Sequence, residues 1–199
     1  PAALALNILV ASIGTYRFGT TKAIRGSLLW PFALGSAPFA FLGGAISLPL
    51  SSYRWVLAGV LLCGALRMAA SIPAKEAVKP LPHPGVVFAM AATIGFVAGI
   101  TGVGGGIFLS PLLLLGAWAS ARETAGVSVA FILVNSVAGL LGHLSAVREL
   151  PPLVPLLAVC AMVGGTIGSG LGATRLSFRT LRYLLAAVLV VAGVKLVLS

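Results

Sequence analysis

Residues 99–106 read Gly-Ile-Thr-Gly-Val-Gly-Gly-Gly, inside an apolar stretch that runs from residue 86 to residue 118. Glycine costs a helix interior roughly 1 kcal/mol relative to alanine. Five glycines in eight positions are therefore expected to break the helix that this stretch would otherwise form. In lipid a break survives only where protein or a water-filled cavity satisfies the freed backbone groups. The chemistry such a backbone offers is anion binding. A helix restarting near Ile107 would aim its N-terminal N–H groups and positive dipole end into the protein. Gly102, Gly104, Gly105 and Gly106 carry no Cβ to hold a ligand away. No Lys or Arg falls between 85 and 118 or between 126 and 142, so the anion would be held without a cation, which is expensive to bury in a membrane. The competing reading is that the glycines only allow helices to pack closely.

Polar partners for such a site are few. Thr101 adjoins the glycines, and Ser128, Asn135 and Ser136 interrupt the next apolar run. Ser128 and Asn135 are seven residues apart, on one face of a helix. For the two serines, hydrogen bonding across helices explains the residues equally well. Asparagine is costlier to bury, which favours a functional role for Asn135 and for Asn7, introduced as its counterpart below.

The elements that must position these residues follow from composition. The 199 residues are 59% hydrophobic and 8% charged, with a mean hydropathy of +1.13. Soluble domains carry about 25% charged residues, so the chain is read as an integral membrane protein. Thirteen Lys plus Arg face three acids. The bases sit mostly between apolar runs, which points to topology signals and lipid headgroups rather than nucleic acid. Cys63 and Cys160 lie in apolar segments without metal-ligand spacing, so neither a disulfide nor a metal site is expected, and both are read as buried.

In order, the apolar segments are 1–16, 26–48, 53–71, 85–118, 121–143, 153–173 and 181–198. Kinks are expected at Pro31 and Pro38, and the fourth segment should be split by the glycines and again by Pro111. Residues 72–84, with four prolines, form the most linker-like stretch.

At one constant offset the chain repeats itself weakly, without gaps. Leu6-Asn7 falls on Val134-Asn135, Gly14 on Gly142, and 53–58 on 181–186. This divides the chain into a first repeat, 1–71, a cytoplasmic linker, 72–84, and a second repeat, 85–199. The second repeat has a glycine-broken segment in front; by symmetry an equivalent one is expected to precede Pro1. Loop charges place the turns around Arg17–Arg25, 72–84 and Arg175–Arg182 in the cytoplasm. The halves would then be inverted, and segment 85–118 would enter and leave on the cytoplasmic side as a re-entrant pair of short helices.

Residues 99–106, followed by Pro111 and by Val134-Asn135-Ser136-Val137-Ala138-Gly139, resemble the second repeat of the TauE/SafE family of sulfite-exporter-like permeases. The resemblance covers most of the chain. It implies an all-α polytopic fold of two inverted three-helix repeats plus glycine-broken re-entrant pairs, the first pair missing here. It also implies secondary transport of a small sulfur-containing anion such as sulfite or an organosulfonate, in a bacterial inner (plasma) membrane. The binding set on this reading is Thr101, Gly102, Gly104, Gly105, Gly106, Ser128, Asn135, Ser136 and Asn7. The expected partners are the anion and the bilayer, with a homodimer left open and no cofactor.

An anion channel is a variant of the same reading. The different-class alternative is an intramembrane serine protease of rhomboid type, built on Ser169 and His143, but Ile167 stands where its Gly-x-Ser-Gly pattern needs glycine. The glycine run also lacks the Gly-Lys-Ser/Thr of a nucleotide loop. No enzyme is expected. Gly164, Gly168 and Gly172 read as a helix-packing ladder, His143 as an interfacial residue, and Arg54 and Arg182 as helix-end residues that snorkel.

Overall fold

The computed structural model describes residues 2–46 and 79–146, with scattered helical positions between 55 and 66, 156 and 166, and 183 and 194. Five helices have described bounds: α1 (Ala2–Thr20), α2 (Gly26–Ala45), α3 (Pro84–Thr101), α4 (Gly106–Leu115) and α5 (Ala121–Ala146). Among the described residues there is no strand. Four of these helices, all but α4, are long and apolar enough to cross a membrane. Their outward faces carry Trp30, Leu34, Leu42, Phe88 and Leu141, the side chains a hydrocarbon environment solvates.

The chain divides into two compact units. Unit 1 is Pro1–Ser47 with Ala74–Val159, and unit 2 is Leu48–Pro73 with Cys160–Ser199. In unit 2 the Leu62 side chain packs close to Gly193. All five helices belong to unit 1.

Local sequence sets the helix ends. Pro84 opens α3, where its missing N–H is no loss, and His83 caps the end by accepting from Gly85 N–H through Nδ1 at 3.2 Å. Ser120 and Glu123 form a capping box at the start of α5. Glu123 Oε2 accepts from the Ser120 N–H and hydroxyl, each at 2.9 Å, and Ser120 Oγ accepts from Glu123 N–H at 3.3 Å. Arg25 lies 3.7 Å from Glu123, and Arg122 donates to the Thr21 carbonyl, so the α1–α2 turn is fastened to the α5 N-terminus.

Three prolines lie inside helices. α4 runs without a break through Pro111, contrary to the expected second split. Pro111 is the sixth residue of α4, past the first turn, so the helix continues at the loss of one backbone bond, the one its missing N–H would give the Ile107 carbonyl. α2 is likewise continuous through Pro31 and Pro38, where kinks were expected.

Glycine decides how the long helices meet. On α3, Gly95 lies against the Ser36 carbonyl and Gly99 against the Ala40 carbonyl. The offset is constant, so α2 and α3 run parallel with touching backbones. Gly44 of α2 meets the Gly139 carbonyl of α5, and Gly142 meets the Phe41 carbonyl. Such contact is how helices associate where lipid gives no hydrophobic drive. α1 runs antiparallel to α5: Leu4 reaches Gly139, Val129 sits against Gly14, and Gly126 touches the Ala23 carbonyl. This packing ladder differs from the expected one. Gly164 has open space around it among the described residues, and Gly168 and Gly172 lie outside them, as do Cys63, Arg54, Arg182 and Ser169. Cys160 is exposed rather than buried.

α3 and α4 form a hairpin. Their midsections share one core: Val87 and Ala91 of α3 and Leu109 and Leu113 of α4 pack with Leu28, Phe32, Val127 and Phe131. Lys79 N–H, ahead of α3, donates to the Ala117 carbonyl beyond α4, so both limbs return to one end. With ten residues α4 is about 15 Å long, half of a hydrocarbon layer about 30 Å thick.

A side chain at Gly95 must displace the α2 backbone. Gly95→Leu is expected to destabilise the protein by about 3 kcal/mol, as severe overpacking does. Gly19, in α1, has nothing within 4 Å of an added Cβ, and Gly19→Ala should raise stability by roughly 0.5–1 kcal/mol. Thermal melting of the two variants in detergent checks the contrast.

Candidate binding site at the hairpin apex

The break between α3 and α4 falls where the glycines are. Gly102 ends α3 at φ +73°, its N–H donating to the Ala98 carbonyl at 2.9 Å. Gly104 and Gly105 follow at φ +76° and +78°, and Gly105 caps α4. Residues with a Cβ rarely adopt this left-handed region. Gly106 has ordinary helical angles, but the Ile132 side chain occupies the place of its missing Cβ. Each of the four thus has a conformational or packing reason to be glycine.

What the turn leaves open is donors. Among the described residues, the N–H groups of Gly104, Gly105, Gly106 and Ile107 have no hydrogen-bonding partner. Left-handed Gly105 followed by helical Gly106 is the alternation that points successive N–H groups into one concavity, a geometry suited to anions. The positive end of α4 adds to it.

Side chains converge on this turn. Asn7 Nδ2 donates to the Gly102 carbonyl at 3.3 Å, tying α1 to the apex. A Cβ built on Gly104 would lie 2.9 Å from Ser136 Oγ and 3.2 Å from Asn7 Nδ2. Ser136 is fully buried and its hydroxyl has no partner among the described residues. Asn135, also buried, donates from Nδ2 to the Phe131 carbonyl of its own helix at 3.1 Å, while its Oδ1 is buried without a partner. Thr101 is buried and donates back to the Val97 carbonyl at 2.7 Å.

Ser128 stands apart. Its hydroxyl lies 2.8 Å from Ser110 Oγ, which lies 2.9 Å from the Gly106 carbonyl. Ser110 has one proton to give; donated to Gly106, it leaves Ser110 to accept from Ser128. This chain fastens the first turn of α4 to α5. Asn7, Gly102, Gly104 and Ser136 are therefore drawn together, Gly105 and Gly106 complete the turn, and Ser128 is engaged below it. Sequence reasoning missed Ser110 and Ile132. Ser110 was visible as a polar residue one turn after the glycines; nothing marked Ile132. Among the described residues no three His, Cys, Asp or Glu cluster to hold a metal.

Apolar spanning helices around a hairpin broken at mid-length define a multi-pass, all-α membrane protein with a discontinuous helix, a plan that presents helix ends to ligands. More particularly, the chain belongs to the Sulfite exporter TauE/SafE family, whose sequence model matches residues 1–196. It is 37% identical over 200 residues to the probable membrane transporter protein y4hK of Sinorhizobium fredii (strain NBRC 101917 / NGR234), covering 98% of this chain and 81% of that protein. No solved structure matches it. As a member of this family it is a multi-pass protein of the plasma membrane.

Asn7→Ala removes the bond between α1 and the apex. The expected loss is about 0.6–1.7 kcal/mol, the range for hydrogen bonds between membrane helices, read as a lower midpoint of unfolding in detergent.

Proposed function

We propose that the protein is a secondary transporter of a small sulfur-containing anion, such as sulfite or an organosulfonate, bound at the 102–107 turn. The observation that carries this reading is the set of unpartnered N–H groups on buried Gly104, Gly105 and Gly106 and half-buried Ile107, with the unpartnered Ser136 hydroxyl directed at the same turn. Buried donors without acceptors are costly, and an oxyanion is the ligand that satisfies several at once. The site meets α5 at Phe131–Ser136, midway along its 26 residues, which suits a position near the bilayer midplane.

Alternating access between two inverted halves, 1–71 and 85–199 joined by the linker 72–84, is the mechanism we favour. The antiparallel course of α1 and α5, which are repeat counterparts, supports it. The hairpin then enters and leaves on the cytoplasmic side. The family membership and the name of the relative favour transport over catalysis. An anion channel differs in that its flux would not saturate or respond to a proton gradient.

Uptake of radiolabelled sulfite into proteoliposomes tests the site. Gly105→Leu is expected to abolish it, since the new side chain meets Phe131 at a positive φ. Ser136→Ala separates binding from folding. Removing an unpartnered buried hydroxyl leaves stability unchanged or raised, yet sulfite affinity is expected to fall by about tenfold, the worth of one hydrogen bond to a charged group. Unaltered uptake in both variants would rule out the apex as the binding site.

A further inference from the structure

Asn135 constrains the ligand more tightly than charge alone. Its orientation is set by its neighbour: the Phe131 carbonyl can only accept, so the atom facing it at 3.1 Å is the amide nitrogen, and Oδ1 is the buried atom left without a partner. The direction it faces follows from its helix. Phe131, Asn135 and Gly139 are four residues apart on α5 and share a face. Phe131 would touch a Cβ on Gly105 at 2.9 Å, and one on Gly139 would lie 3.5 Å from Gly99 Cα. Asn135 is bracketed by these contacts and faces the chain between 99 and 105. The apex therefore combines donors with a buried oxygen that can only accept.

We infer that the site takes anions that carry their own hydrogen-bond donor, an O–H or N–H on the anion itself as in hydrogen sulfite or a few bonds from it, and that Asn135 Oδ1 receives it. This rests on the reading of the apex as an anion site. The backbone N–H groups and Ser136 take the anionic oxygens, and the ligand's donor completes the shell. A site built to accept a hydrogen bond rejects an analogue that lacks the donor, because its own buried polar atom is then left unpaired. Asn135 is thus a specificity-determining residue within the site.

The test compares three sulfonates of similar size as inhibitors of sulfite uptake by the reconstituted protein. They are 2-hydroxyethanesulfonate, 2-aminoethanesulfonate and 1-propanesulfonate, whose terminal groups are hydroxyl, ammonium and methyl. The hydroxyl or the ammonium compound, or both, should inhibit at a concentration at least about tenfold below that of 1-propanesulfonate, and the more potent one identifies the donor. Asn135→Leu, close in volume, should cancel the difference, so that the three compounds inhibit whatever sulfite uptake remains at similar concentrations. If that variant does not fold, the comparison on the unaltered protein stands alone. Equal inhibition by all three overturns the inference but leaves the anion site standing, as when a water satisfies Oδ1. No inhibition by any of them while sulfite uptake persists likewise overturns the inference, and no sulfite uptake at all overturns the reading of the apex as an anion site.

Discussion

Everything in unit 1 follows from the rule that a backbone in hydrocarbon must find its hydrogen bonds within the protein. A continuous helix meets it automatically, and α1, α2 and α5 do so. The α3–α4 hairpin does not, because Gly102–Gly105 turn the chain between the two helices. The cost is contained in three ways. Gly102 N–H closes onto Ala98, Asn7 covers the Gly102 carbonyl, and the Ser128–Ser110 chain covers the Gly106 carbonyl. Side chains thus cap the Gly102 and Gly106 carbonyls, while the N–H groups of Gly104–Ile107 are left.

Glycine serves two purposes that look alike in sequence. At 102, 104 and 105 it permits a left-handed backbone; at 95, 99, 44, 139 and 142 it removes a side chain so that helices touch. The second group assembles α2, α3 and α5 into a closely packed block, and that block gives the first group a fixed setting. α1 is bound differently, through Leu4, Asn7 and Gly14, and shows most of its surface to the surroundings. Within the glycine run, packing accounts for Gly99 and Gly106, and backbone conformation for Gly102, Gly104 and Gly105.

Much of this was legible in the residues. The break at 99–106 and the helical restart next to Ile107 followed from glycine's cost, and the spanning segments from their apolar length. Three things were not. Pro111 was expected to split the helix again, but Leu109 and Leu113 on either side of it are held in the shared core, and the helix runs on through it. Ser128 was grouped with the site because spacing along α5 reports the face, not what the opposing helix presents; Ser110 answers it. The pairing of Asn7 with Asn135 suggested one amide from each half facing a shared site; what it could not tell is that each spends an N–H on a backbone carbonyl, Gly102 and Phe131. Repeat symmetry locates residues but does not orient an amide.

The link between Lys79 N–H and the Ala117 carbonyl joins the hairpin at its base. Two limbs joined at the foot and sharing a core are held against splaying there, so the turn at the tip rests on contacts from the sides: Asn7 and Leu4 of α1 against Gly102, and Phe131, Ile132 and Ser136 of α5 against Gly104–Gly106.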